Sequence, residues 1–168
     1  MGSTADDDVD RIVAQWARER PELETEAMAV FGRVYRIARL VGDAQETVYR
    51  RCGINRGEFD VLATLRRSGA PYSLSPSELT QSMMITSGGM TGRLDRLERR
   101  RLLSRSPDPD DRRGLRVTLT DEGFALVEDA VGAGLAVQQT VLQQLPAADR
   151  QVLGGMLKRL LAAASPTA

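Results

Sequence analysis

Between Glu24 and about Cys52 the apolar residues Ala27, Phe31, Val34, Ala38, Val41, Ala44 and Val48 follow one another at steps of three or four, which predicts one long amphipathic helix. Gly53 can end it in the left-handed conformation, and Asn55 can cap a third helix carrying Phe59, Leu62 and Leu65 as far as Ser68-Gly69. Ahead of the long helix, Val9 to Arg18 predicts a short added helix that stops before Pro21, and the polar residues 1–8 are expected to be disordered. Ser75 starts a further helix that ends near Met83: Pro76 suits its first turn, and Glu78, three residues on, closes a capping box. A helix from Thr86 to Arg101 follows, with Met90, Leu94 and Leu97 turned inward and Arg93, Arg96, Arg99 and Arg100 on other faces.

The period then changes. Leu102 to Arg105 and Leu115 to Leu119 predict two short strands around a polar turn that contains Pro109 and Gly114. Two helices in close succession followed by a hairpin predict a winged helix-turn-helix. Thr120, with Asp121 and Glu122 behind it, caps a long helix to about Gln144, whose Phe124, Val127, Val131, Leu135 and Leu142 are spaced for one face. Pro146 opens the last helix, and its Val152, Leu153, Met156, Leu157, Leu160 and Leu161 form an apolar set wider than the end of so small a domain needs. A partner subunit is expected to cover it, giving a two-fold homodimer. The expected fold class is mainly α with a small β wing, a winged helix-turn-helix between long N- and C-terminal dimerisation helices. Its regions are a tail (1–8), the added and first core helices (9–54), the DNA-binding region (55–119) and the C-terminal dimerisation helices (120–168).

Composition narrows the function classes. With 168 residues, 42% hydrophobic and 27% charged, the chain fits one domain large enough to bury a core. Net charge is zero and the pI is near 6.4, which argues against a nonspecific nucleic-acid coat or a protein held on anionic membrane by charge. Yet nine arginines lie between Arg93 and Arg116 against five acids, so a cationic surface is local. There is no histidine, and Cys52 is the only cysteine; an intrachain disulfide is impossible, and zinc or nucleophile-base catalysis lacks its usual residues. No metal, cofactor or enzymatic activity is expected. The N-terminal acids exclude a secretory signal, and no apolar run approaches the roughly 20 residues of a spanning helix, so a soluble cytoplasmic protein with no membrane partner is expected.

The chemistry concentrates in two places. A recognition helix must bring its start close to base edges in a major groove about 12 Å wide. Gly88, Gly89 and Gly92 each cost about 0.8–1 kcal/mol against alanine inside a helix, so three in five positions point to clearance for that approach; the blander reading is that Gly88 and Gly89 shape the turn before it. Ser87, Thr91 and Arg96 are then the candidates for phosphate and base contacts. In the wing, DPDDRRG places Arg112 and Arg113 at a hairpin tip, where a guanidinium can enter a narrow minor groove, and Asp111 can orient Arg113. Plain solubility is the alternative reading of two adjacent surface arginines.

The run GGMTGRLDRLERRRLLSRSPDPDDRRGLRVTLTDEG closely resembles the recognition helix and wing of MarR-type bacterial transcription regulators, and the order of helices is similar along nearly the whole chain. The resemblance implies a triangular homodimer, a palindromic duplex DNA operator, and repression relieved by a small, often phenolic or otherwise anionic, ligand. It gives Asp111 and Arg113 the family's wing roles, with Arg113 the minor-groove arginine. WARERPEL, from Trp16 to Leu23, resembles the extra N-terminal segment of urate-responsive and PecS-like members. That likeness implies an effector site of Trp16, Asp60, Arg93 and Arg105, a set suited to a flat anion because two guanidinia donate, indole offers a face and an N–H, and Asp60 can hold an arginine.

Two other readings stay open at this point. Cys52 stands beside Arg50 and Arg51, which could favour a thiolate, so a thiol-based redox regulator is one. A winged-helix module that binds protein rather than DNA is the other.

Overall fold

The structure, a computed structural model, describes residues 5–83, 89–109, 111 and 114–165. Among the described residues seven helices and three strands follow in the order α1 (Asp8–Glu19), α2 (Glu26–Arg51), α3 (Arg56–Arg67), β1 (Ser73–Leu74), α4 (Pro76–Ser82), α5 (Met90–Arg99), β2 (Leu103–Pro107), β3 (Leu115–Leu119), α6 (Asp121–Leu142) and α7 (Ala147–Ala164). The fold is the expected one, mainly helical with a small antiparallel sheet. Among the described residues no helix is long and apolar enough to cross a membrane. The chain divides into two compact units, Met1–Ala44 and Gln45–Ala168.

In the first unit, aspartates expected to lie in a polar tail hold α1 instead. Asp7 caps it, accepting from the N–H groups of Val9 (2.7 Å) and Asp10 (3.0 Å). Arg33 of α2 donates to Asp7 (2.9 Å) and Asp10 (2.6 Å), and Asp8 pairs with Arg36. Val9 is buried against Gly32, where an added Cβ would stand 3.1 Å from its Cγ1. The helix therefore begins one residue earlier than its apolar period suggested, because the cap and not the period sets its start.

In the second unit the core is built around α3, whose Val61, Leu62 and Leu65 are fully buried among Leu79, Leu94, Leu97, Leu103, Val117 and Val127. The local signals place these helices. Gly53 ends α2 with φ +75°, Asn55 and Glu58 close a capping box on α3, and Ser75 and Glu78 close one on α4 behind Pro76. Cys52 is half-buried and packs against the core.

The sheet is ordered β1-β3-β2, with Leu103 opposite Leu119 and Pro107 opposite Leu115. β2 runs two residues beyond the strand expected from the sequence; it is an edge strand, so Pro107 at its end withholds no ladder donor. β1, not anticipated, pairs Ser73 with Thr118 and Leu74 with Val117. The inner face of α6 also differs from expectation. Leu135 and Leu142 are exposed, and the buried residues are Gly123, Val127, Ala130 and Gly134. Close approach is the reason: a Cβ on Gly134 would lie 2.4 Å from the Tyr49 hydroxyl, so small residues carry this contact. None of the 18 residues of α7 is buried.

Candidate DNA interface

α5 is the second helix of the helix-turn-helix. It starts at Met90 rather than at Thr86, because Gly89, expected inside the helix, is its N-cap, with φ +74° and open space around it: a Cβ added there would meet no atom within 4 Å. The first demand on Gly89 is therefore backbone conformation, not room for a side chain. Thr91 is exposed beside it. Ser87 and Gly88, expected to share this end of the helix, lie outside the described residues. Leu94 and Leu97 are buried and Met90 packs on the core, so the face carrying arginines turns outward and toward the start of α3.

Those arginines are anchored. The Arg93 guanidinium lies on Gly57, where an added Cβ would stand 2.6 Å from Nε. Arg96 donates through Nε to Glu58 Oε1 at 2.8 Å, and Arg100 donates to the Gly53 carbonyl at 2.5 Å. Spacing of three and four residues along α5 thus lays three guanidinia over the loop and first turn of residues 53–58. Glu58 was missed as a partner from the sequence, although its position three residues after Asn55 is a capping-box signal.

The turn of the wing is closed by the Asp108 N–H donating to the Gly114 carbonyl (3.0 Å) and the Gly114 N–H donating to the Asp111 carbonyl (2.8 Å). Asp111 is exposed there. Arg112 and Arg113, expected at the wing tip, lie outside the described residues. Arg116, counted in the sequence only as local positive charge, ties the hairpin to the helix-turn-helix: it donates to Asp108 (2.9 Å) and to Glu78 (3.1 Å) in the capping box of α4. The Ser75 backbone N–H on that carboxylate is the chief reason the Glu78 pKa lies below its ordinary value.

The residues expected to form an effector site are distributed as follows. Asp60 is buried on α3, one turn beyond Gly57, so Arg93 of α5 stands over the same side of α3. Arg105 on β2 is engaged elsewhere, donating to Glu98 (Nε, 2.9 Å) and Asp95 (2.8 Å). Its hydrogen bond to Glu98 lowers that carboxyl's pKa and raises that of the guanidinium. Trp16 belongs to the first unit, on α1, with its side chain exposed.

Comparison with known proteins fits this geometry. The model of the MarR family matches residues 53–114, which hold α3 to the wing. The transcriptional regulator PecS of Dickeya dadantii is 40% identical over 153 residues, spanning 91% of this chain and 92% of its own. The chain belongs to the MarR family. It is accordingly a winged-helix, DNA-binding regulator of transcription, in a family of regulators rather than enzymes. A mutant MarR from E. coli complexed with operator DNA is similar in structure, with TM-score 0.70 and 25% identity over 82% of this chain and 96% of that one. BpsR of Bordetella bronchiseptica, whose DNA binding is regulated by 6-hydroxynicotinic acid, has TM-score 0.61 and 28% identity over 76% of this chain and 98% of its own.

Proposed function

We propose that this member is a cytoplasmic homodimeric repressor of a palindromic operator, released by a small anionic or aromatic effector such as urate. In this reading the start of α5, with Ser87, Gly88, Gly89, Thr91 and Arg96, enters the major groove, and Arg113 enters the minor groove with Asp111 and Arg112 beside it. Likeness to PecS over nine tenths of the chain carries the reading. The dimer is supported by α7, whose Val152, Met156 and Leu161 are about half exposed or more, an apolar surface that a second copy would cover. Residues 9–54 and 120–168 then serve assembly and 55–119 serves DNA.

The effector would be held by Trp16, Asp60, Arg93 and Arg105. Arg93 is part of the recognition helix, so an anion that binds one position of that helix better shifts the DNA-binding equilibrium by that difference in affinity. The regulation of BpsR by an aromatic acid supports this class of ligand. Because Arg105 already serves two carboxylates, an anion would have to compete with Asp95 and Glu98 for it.

Fluorescence anisotropy on DNA from the protein's own upstream intergenic region, at two salt concentrations and with and without urate, tests the reading. Tight, salt-sensitive binding reversed by urate is expected. Binding that urate leaves untouched overturns urate as effector, and binding no tighter than to random DNA overturns this operator.

A further inference from the structure

Glu58 and Asp60 are the buried carboxylates among the described residues. A buried charge is tolerated when it is paired and its oxygens are hydrogen-bonded, and Glu58 meets both conditions with partners from two helices. Its Oε2 accepts the Asn55 N–H at 3.0 Å, which completes the cap of α3, while Oε1 accepts Arg96 Nε at 2.8 Å. The group that caps α3 therefore also grips α5. Arg96 reaches it by lying back along its own helix, as long helical side chains do, over the turn that holds Gly92; a Cβ there would find Arg96 Nη1 at 3.6 Å as its neighbour. The Glu58 side chain is 7% exposed and that of Arg96 is 47% exposed, so one edge of the guanidinium is fixed inside and the other faces solvent.

We propose that Glu58 is a positioning residue for sequence recognition: by holding Arg96 through Nε, it fixes which guanidinium edge the recognition helix presents to DNA. Two effects push the same way. An arginine already held loses less rotamer freedom when it meets a base, which strengthens specific contacts. A carboxylate beside the guanidinium also offsets part of its general pull on phosphates, which weakens nonspecific ones. Glu58 thereby widens the gap between the right sequence and any other. This rests on the DNA-binding reading of α5.

The test uses the full-length protein and duplexes that the wild type selects from a random pool. Glu58→Gln keeps a carbonyl oxygen for the Asn55 N–H but removes the charge opposite Arg96. The ratio of affinity for selected over random DNA is expected to fall about tenfold, mostly through loss on the selected duplex. The pair of Glu58→Gln with Arg96→Ala is expected to be no worse than Arg96→Ala alone. An unchanged ratio, an equal loss on both DNAs, or additive losses in the double variant each overturn the assignment. Should Glu58→Gln fail to fold, the wild type decides: an Arg96 Nε–H signal shifted and protected from exchange in NMR supports the clamp, and one that exchanges like a free guanidinium overturns it. A wild type that selects no sequence overturns the operator reading and the specificity role with it, whereas a selective wild type with an equally selective Glu58→Gln overturns Glu58 alone.

Discussion

A Cβ placed on Gly123 would stand 1.9 Å from the carbonyl oxygen of Leu102 and 2.8 Å from its carbonyl carbon. Both are backbone atoms, so no change of rotamer relieves the clash. The seat is made by hydrogen bonds: the same carbonyl accepts the Thr120 N–H at 3.3 Å, and Thr120 Oγ1 accepts the Gly123 N–H at 3.0 Å as the cap of α6. The first turn of α6 thus rests on the backbone that leads into β2. Gly123→Ala is expected to destabilise the protein by about 3 kcal/mol, the upper range for overpacking a close contact. For a chain of this size that lowers the melting temperature by roughly 6–12 °C. A thermal melt within a degree or two of the wild type would refute the close approach. The sequence showed a glycine three residues after a capping threonine but not its reason, which is a carbonyl remote in the chain. Gly89 is the opposite case: its spacing suggested clearance, and the structure shows a positive φ with open space around it.

At the scale of elements, several carboxylates share one electrostatic signature. The pKa of Asp7 is lowered chiefly by the Asp10 N–H, that of Asp10 chiefly by Arg33, that of Glu78 by the Ser75 N–H and that of Glu98 by Arg105. A carboxyl with a lowered pKa in the folded state contributes stability above its unfolded value, about 3.9 for Asp and 4.3 for Glu, and loses it as pH falls through the folded value. With no histidine in the chain, no imidazole titrates between those values and neutrality. The melting temperature is therefore expected to be nearly flat from pH 8 to 5 and to fall below about pH 4. Asp10→Asn should lower it at pH 7 and make the acid limb shallower, as read by melts across that range; a wild-type profile flat to pH 3 would show that these caps contribute little. The caps at Asn55, Ser75 and Thr120 were legible because each is a local pattern of three or four residues. The start of α1 was less so, since Asp7, Asp8 and Asp10 look like a solvated acidic run until Arg33 and Arg36 of α2 are seen beside them. β1 was invisible for a related reason: two residues carry no alternation, and only the pairing of Ser73 with Thr118 makes them a strand.

For the whole molecule, what the sequence revealed and what it hid follow from the range of the interactions. The helical periods and the break at the wing are local, so the winged helix-turn-helix could be read directly. The balance of charge over residues 93–116 could not, because Arg96, Arg105 and Arg116 meet Glu58, Asp95, Glu98, Asp108 and Glu78 only once the chain is folded. The apolar surface of α7 stood out in both views. A helix of 18 residues with none buried gains little from its own chain, and in proteins most helical stability comes from packing of an apolar face, so a second surface is expected to stabilise it. If that surface is the same helix of another copy, Met156→Glu with Leu160→Glu places two charges one turn apart in the interface, while in the single chain both residues are already exposed. Sedimentation equilibrium is expected to give a mass near 18.4 kDa for this variant and twice that for the wild type, with the circular dichroism of the other helices kept. One winged helix then meets one half-site, so the slope of log affinity against log salt, about 0.9 per phosphate neutralised, should drop to roughly half. A variant that remains dimeric with an unchanged slope would place the assembly surface away from α7.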